Sequence, residues 1–272
     1  MRRHQTWVLA LLVFLCPLVL RSQEAISFKL LATIPVSSFF FTTDPLGNLY
    51  WICENGLTRQ EWPNGNRVQY SNQAHGRICL VEAGDPLNIM VFHPEFNLVL
   101  WLDRNLNPKA GPGVSPFGEE FPTTIGSSQL GGFWAFMPQK ARLQRFNQAF
   151  RLQAQSLPFF EILPGFAPPS FIIESDGRIF VASPCHGIAM FDNFGNFLSL
   201  LQRKGITQFQ VQNNHIIYFT NTEIVIFDVE QKQETLFLLP ETQIRSGQLR
   251  GRYIFIQTEK NIKVYEASEY LF

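Results

Sequence analysis

Short apolar runs separated by turn residues recur along almost the whole chain. From Phe171 to Leu201 the order is FIIE, Ser175-Asp176-Gly177, RIFVAS, Pro184-Cys185-His186-Gly187, IAMFD, Asn193-Phe194-Gly195-Asn196, FLSLL. Such runs, broken by Asp-Gly and Asn/Gly turns, predict four antiparallel strands joined by hairpins. Residues 38–71 repeat the grammar as SFFFTTD, LYWICE, LTRQEW and RVQYS, with turns at Pro45-Leu46-Gly47-Asn48, Asn55-Gly56 and Pro63-Asn64-Gly65-Asn66. Further units lie at 78–107, 124–156, 207–239 and from Gln243 to the C-terminus. Helical periodicity is almost absent.

The third strands align on Leu57, Leu98, Leu143, Ile188, Ile224 and Ile262, with spacings of 41, 45, 45, 36 and 38 residues. A repeat near forty with four strands per unit predicts an all-β fold, the β-propeller. Each unit cannot bury both of its faces alone, and stacking in a ring solves that. The last unit shows only three strands, while ISFKLLATIP at 26–35 has no hairpin neighbour. That lone strand is expected to complete the last blade, closing a ring of six and removing an open edge.

The N-terminus is a separate object. Arg2, Arg3 and His4 precede an apolar run of 13 residues, Val8 to Leu20, shorter than the ~20 residues a membrane-spanning helix needs. A signal peptide over residues 1–22 is expected, with the propeller domain over 23–272. The exported chain would be periplasmic or extracellular, or held at the outer membrane, and would not span a membrane once the signal is removed. Three cysteines lie beyond the signal, Cys53, Cys79 and Cys185. So sparse and odd a set is no disulfide framework, and buried thiols are expected at Cys53 and Cys79. With 46% hydrophobic residues the chain can build a sizeable core. Lys plus Arg and Asp plus Glu both total 22, so no positive field points to nucleic acid.

The repeated pattern, best seen in GRIFVAS…GIAMFDNFGNFLSLL, resembles the exported six-bladed propellers of the NHL-like class, single-domain proteins found behind bacterial signal peptides. The resemblance covers Glu24 to Phe272. Its motifs are structural and describe architecture rather than activity. It implies binding of a ligand or a protein more often than catalysis.

Candidate chemistry comes from the geometry of the fold. The innermost strand of each blade lines the central channel, where sites are assembled from several blades. Amides and hydroxyls dominate in those strands. Glu82, Glu174 and Arg245 are the charged exceptions, and with Gln210 they form the candidate ligand-binding set. No catalytic residue, no metal site and no cofactor is predicted. His75, His93, His186 and His215 form no HxH or HxxxH pair, and a metal site needs several His or carboxylate ligands. There is no G-x-S-x-G, P-loop or Rossmann fingerprint. Cys185-His186 occupies a hairpin turn, and neighbours in an extended chain point apart, so a structural role is expected. Asp103, Asp192 and Asp228 end WLD, MFD and IFD, which suggests local turn capping. The irregular stretch PKAGPGVSPFGEEFP, 108–122, carries Phe117, Glu119, Glu120 and Phe121. These are the candidate partner-binding residues, unless the loop folds back on its own blade.

The function expected is that of a non-catalytic exported scaffold, a monomeric propeller that binds another envelope protein or a ligand. The alternative is a hydrolase or lyase acting on a glycan or lactone, which would gather Glu82, Glu174 and Arg245 around one pocket in the channel.

Overall fold

The computed structural model describes residues 26–272 except 55, 64, 110–116, 118 and 119. The expected signal peptide, 1–22, and the candidate Glu119 lie outside the described residues. Strand β1 (Phe28–Pro35) comes first and does not pair with its neighbour in sequence. Blade 1 is β2 (Phe40–Thr43), β3 (Leu49–Cys53), β4 (Gly56–Gln60) and β5 (Arg67–Tyr70). Blade 2 holds β6 (Leu80–Glu82), β7 (Ile89–His93) and β8 (Leu98–Leu102). Blade 3 is β9 (Thr124–Ser127), β10 (Phe133–Met137), β11 (Arg142–Phe146) and β12 (Leu152–Gln155). Blade 4 is β13 (Phe171–Ser175), β14 (Arg178–Ser183), β15 (Gly187–Asp192) and β16 (Phe197–Leu201). Blade 5 is β17 (Gln210–Gln212), β18 (His215–Phe219), β19 (Glu223–Asp228) and β20 (Gln233–Leu238). Blade 6 is β21 (Ser246–Arg250), β22 (Tyr253–Gln257) and β23 (Asn261–Ala267), with β1 as its outer strand.

The molecule is the six-bladed propeller that the repeat predicts. The six expected third-strand positions all fall in β4, β8, β11, β15, β19 and β23. The inner strands β2, β6, β9 and β13 pack in succession, β13 meets β17, and β21 lies against β18 and β2, which closes the ring. Closure within blade 6 is as expected too. β1 pairs antiparallel with β23 from Phe28 opposite Ala267 to Pro35 opposite Asn261, with one irregularity between Leu30 and Ala32.

Blade stacking accounts for the sequence pattern. Second strands are covered on both faces by neighbouring blades, so they are almost continuously apolar; every residue of β7 and of β10 is buried. Outer strands such as β12 are mostly exposed and alternate weakly. Between blades 3 and 4 the packing is aromatic and aliphatic: Trp134, Phe136, Leu143, Ile172, Ile179, Val181 and Phe191 form one cluster. There β9 and β13 approach so closely that a Cβ on Gly126 would fall on the backbone carbonyl of Ile172. Gly126→Ala should therefore push two blades apart and lower stability by about 1–3 kcal/mol; urea denaturation would show a lower midpoint at unchanged slope.

The turns behave as their residues dictate. Asp44, Asp103 and Asp192 each accept from the backbone N–H two and four residues on, and from the side-chain amide of Asn48, Asn107 or Asn196. Asp228 accepts from the N–H groups of Glu230 and Gln231. The capping role expected of Asp103, Asp192 and Asp228 is thus observed.

Three local features differ from the expectation or extend it. Blade 2 has three strands among the described residues; Pro108 bridges to Leu102 and the Lys109 N–H donates to the Trp101 carbonyl at 2.8 Å, so the start of 108–122 occupies the outer position. The linker 158–169 contains a one-turn helix, α1 (Phe159–Ile162), whose buried Phe159 stacks on Phe191 at 5.3 Å. The three cysteines among the described residues are free, as expected, but they are not buried: Cys53 is half-buried, while Cys79 and Cys185 are exposed. Cys79 precedes β6 rather than lying inside it, which is why the apolar run around it does not carry it into the core.

Candidate functional site

All six inner strands run toward one face and there enclose a cavity of about 270 Å³ at the mouth of the channel. Each blade contributes: Thr43 from blade 1, Glu82 from blade 2, Gln129 from blade 3, Glu174 from blade 4, Gln210 from blade 5, and Gln248 with Arg250 from blade 6. Three of the four candidate ligand-binding residues, Glu82, Glu174 and Gln210, are therefore brought together. Arg245 is not among them. It lies toward the opposite face, lines a separate cavity between blades 5 and 6, and pairs with Glu259 at 3.4 Å on the surface. The arginine of the mouth is Arg250. Strand alternation explains the exchange, since Gln248 and Arg250 share one side of β21 while Arg245 precedes the strand with the opposite parity. The signal was available in the two-residue spacing from Gln248, but Arg250-Gly251 reads as a turn.

Two of the charged groups of the mouth are held across blade boundaries. Arg250 donates through Nε to Thr43 Oγ1 at 3.0 Å and through Nη2 to the Thr43 carbonyl at 2.8 Å, tying blade 6 to blade 1. Burial lowers its guanidinium from the usual range, and the nearby Glu82 and Asp44 carboxylates oppose that shift. Burial likewise raises the Glu82 carboxyl, against the Gly84 N–H that it accepts at 3.1 Å and the field of Arg250. Among the described residues, neither Glu82 nor Glu174 has a cationic partner within 4 Å. Glu174 instead accepts from the buried Trp134 indole N–H at 2.7 Å, across the interface between blades 3 and 4. Gln210 is occupied as well: its Oε1 accepts from the Leu249 N–H at 2.7 Å and its Nε2 donates to the Leu249 carbonyl at 3.4 Å. The mouth thus offers Glu82, Arg250 and Gln248 to an incoming polar group, while Glu174 and Gln210 chiefly stitch blades together. Among the described residues no three His, Cys, Asp or Glu side chains cluster as metal ligands would.

Around this polar pit runs a ring of turns that join each inner strand to the next. In blades 1, 2 and 3 the turn presents a leucine to solvent: Leu46 is 74% exposed, Leu87 64% and Leu130 63%. In blades 4, 5 and 6 the corresponding turns are Asp176-Gly177, Asn213-Asn214 and Gly251. The rim is therefore apolar on one half and polar on the other. These leucines were visible in the sequence at matching positions of Pro-Leu-Gly-Asn, Pro-Leu-Asn and Gln-Leu-Gly-Gly, but they look like turn residues there.

The expected partner-binding loop is only partly available as a surface. Phe117 is buried and packs edge-on against Phe133 and Phe146, at 5.7 and 5.5 Å. Phe117 thus packs into the aromatic cluster of blade 3, the blade after its own, because that cluster offers the ring more contact than water does. Glu120 pairs with Lys140 at 2.9 Å, and its carbonyl accepts from the Asn97 amide. Phe121 remains 54% exposed, but on the face away from the leucine turns. His186 accepts the Ala167 N–H at 3.1 Å and stacks on Phe166, so the Cys185-His186 turn is a structural tie to the linker.

No family model matches the chain, and no curated protein matches it. Solved structures do. Virginiamycin B lyase from Staphylococcus aureus superposes with a TM-score of 0.61 at 13% identity, over 88% of this chain and 99% of that one. A chain of the mitotic checkpoint complex gives 0.62 at 8% identity, over 97% and 99%. The WD40 domain of Neurospora crassa Pan2 gives 0.60 at 9%, over 90% and 96%. At such identities the likeness is one of fold alone.

Proposed function

We propose that this six-bladed ring is an exported binding scaffold that seats another protein of the cell envelope on the face made by its inner-strand turns. One observation carries the reading: successive blades expose a leucine at the same turn, three times over, beside a pit holding Glu82 and Arg250. Isolated exposed leucines are ordinary; repeated at one turn position of three successive blades they form an apolar arc flanked by polar turns, a surface suited to a partner. The fold supports the reading, since propeller neighbours include WD40 domains and a chain of a multiprotein complex. Export rests on the signal-like segment 1–22.

The test is chemical crosslinking of the tagged protein in its own cell envelope, followed by mass spectrometry. A triple variant, Leu46→Ser, Leu87→Ser and Leu130→Ser, should fold normally, because all three side chains face water. It should also lose about 90% or more of a stoichiometric partner, since a few well-buried side chains carry most of the energy of an interface. The same partner recovered undiminished, or a chain found uncleaved in the cytoplasm, would refute the proposal.

A further inference from the structure

The pit at the channel mouth holds two opposite charges that face one cavity without touching. Glu82 stands on blade 2 and Arg250 on blade 6, with the inner strand of blade 1 between them. Among the described residues neither side chain forms an ion pair, so carboxylate and guanidinium lie more than 4 Å apart. Each nevertheless feels the field of the other. Both are half-buried rather than sealed, so a molecule in the cavity can touch them.

Each also keeps bonding capacity that the protein does not use. Arg250 spends its Nε–H and one Nη2–H on Thr43, at 3.0 and 2.8 Å. These two donors form one side of the planar guanidinium. The other fork, Nη1 with the second Nη2–H, donates to nothing among the described residues, and it has the shape that takes a carboxylate in two parallel bonds. Glu82 accepts the Gly84 N–H at 3.1 Å through Oε1, and its Oε2 accepts nothing among the described residues. Opposite charges drawn partly out of water and left apart cost free energy that a bridging molecule recovers.

The rest of the cavity narrows the choice of molecule. Glu174 from blade 4 is a third charged group, already holding the Trp134 indole through Oε2. Two carboxylates around one guanidinium disfavour a simple anion, while a simple cation leaves the guanidinium fork empty. Across the channel from Arg250 and Glu82, half-buried Ile173 and Val211 form an apolar wall. The volume, about 270 Å³, lies just below the ~300–1,000 Å³ of drug-sized sites, which suits a small metabolite.

We infer that the pit binds a free α-amino acid with an aliphatic side chain: its carboxylate lies on the open fork of Arg250, its ammonium donates to Oε2 of Glu82, and its side chain rests on Ile173 and Val211. The site goes beyond the scaffold reading and stands whether or not a protein occupies the leucine rim.

The experiment titrates the full chain calorimetrically with L-leucine, with L-leucinol, which lacks the carboxylate, and with 4-methylpentanoate, which lacks the ammonium. L-Leucine should bind at least about tenfold more tightly than either, the difference that one hydrogen bond between charged groups makes. Glu82→Gln should erase the preference for L-leucine over 4-methylpentanoate and keep the preference over L-leucinol, because Arg250 still reads the carboxylate. In the unaltered protein, the carboxyl ¹³C resonance of Glu82 should shift on adding L-leucine and stay put with 4-methylpentanoate, a readout that holds even where the variant fails to fold. No binding of L-leucine, equal affinity for the three compounds, an undiminished preference in Glu82→Gln, or binding that leaves the Glu82 resonance unmoved would each overturn the inference.

Discussion

Removing residues 26–35 should abolish the stable monomer. Strand β1 is the outer strand of blade 6 and pairs with β23 along its whole length. Its Ile34 is buried with Phe41, Leu49, Phe255, Ile262 and Val264, a cluster that straddles blades 6 and 1. Loss of the strand strips β23 of its outer ladder and opens that cluster at the seam of the ring. A free edge beside apolar surface also invites association between chains. The expected cost exceeds about 5 kcal/mol, comparable to the whole net stability of many domains. Size-exclusion chromatography and thermal unfolding of the truncated chain would show aggregation, or a transition far below that of the full chain. A synthetic peptide spanning 26–36 should restore monomer by adding the strand in trans. A truncated chain that unfolds at the normal temperature would mean that blade 6 is self-sufficient with three strands.

Trp134→Ala should be the most damaging single substitution. Trp134 is fully buried between blades 3 and 4, in a cluster with Phe136, Leu143, Ile172 and Phe191, and its indole donates to Glu174. Truncation removes a large side chain that the surroundings cannot refill, costing about 3–5 kcal/mol. It also strips the carboxylate of its donor. Trp134→Phe separates the two effects: most of the packing remains, and the loss should fall to about 1–3 kcal/mol, the cost of an unsatisfied carboxylate. Urea denaturation of both variants, with Glu174→Gln as a third, makes the comparison. If Trp134→Phe proves as costly as Trp134→Ala, packing is not the main contribution of the indole.

The architecture was legible because propeller blades write themselves locally. Hairpin turns of Asp, Asn and Gly mark each strand boundary, and the third strands recur at near-constant spacing. Even the partnership of first and last strands comes out of counting, since three strands at one end and one at the other leave a single closed solution. The site was legible only in part. Glu82 and Glu174 announce themselves as carboxylates in inner strands, and both reach the mouth. Arg250 does not, because the residue before a turn glycine looks like turn chemistry until the side of β21 that Gln248 occupies is known. Phe117 looks like a surface contact because its neighbours are Pro and Gly; the aromatic pair Phe133 and Phe146 that receives it lies in another blade. His93 is the extreme case. Its burial arises from the stacking of two blades, and nothing in the local run MVFHP signals it.

The division of the rim into a leucine half and a polar half has a geometric consequence. A propeller is close to rotational symmetry, and a partner resting on an even rim could dock in any of six equivalent settings. Here the turns of blades 1, 2 and 3 differ from those of blades 4, 5 and 6, so turning a partner by half a revolution sets its apolar surface on Asp176 and Asn213. On the proposed scaffold reading, the rim would be a compass as well as a contact: it would select one azimuth, and with it the direction in which everything attached to the partner extends.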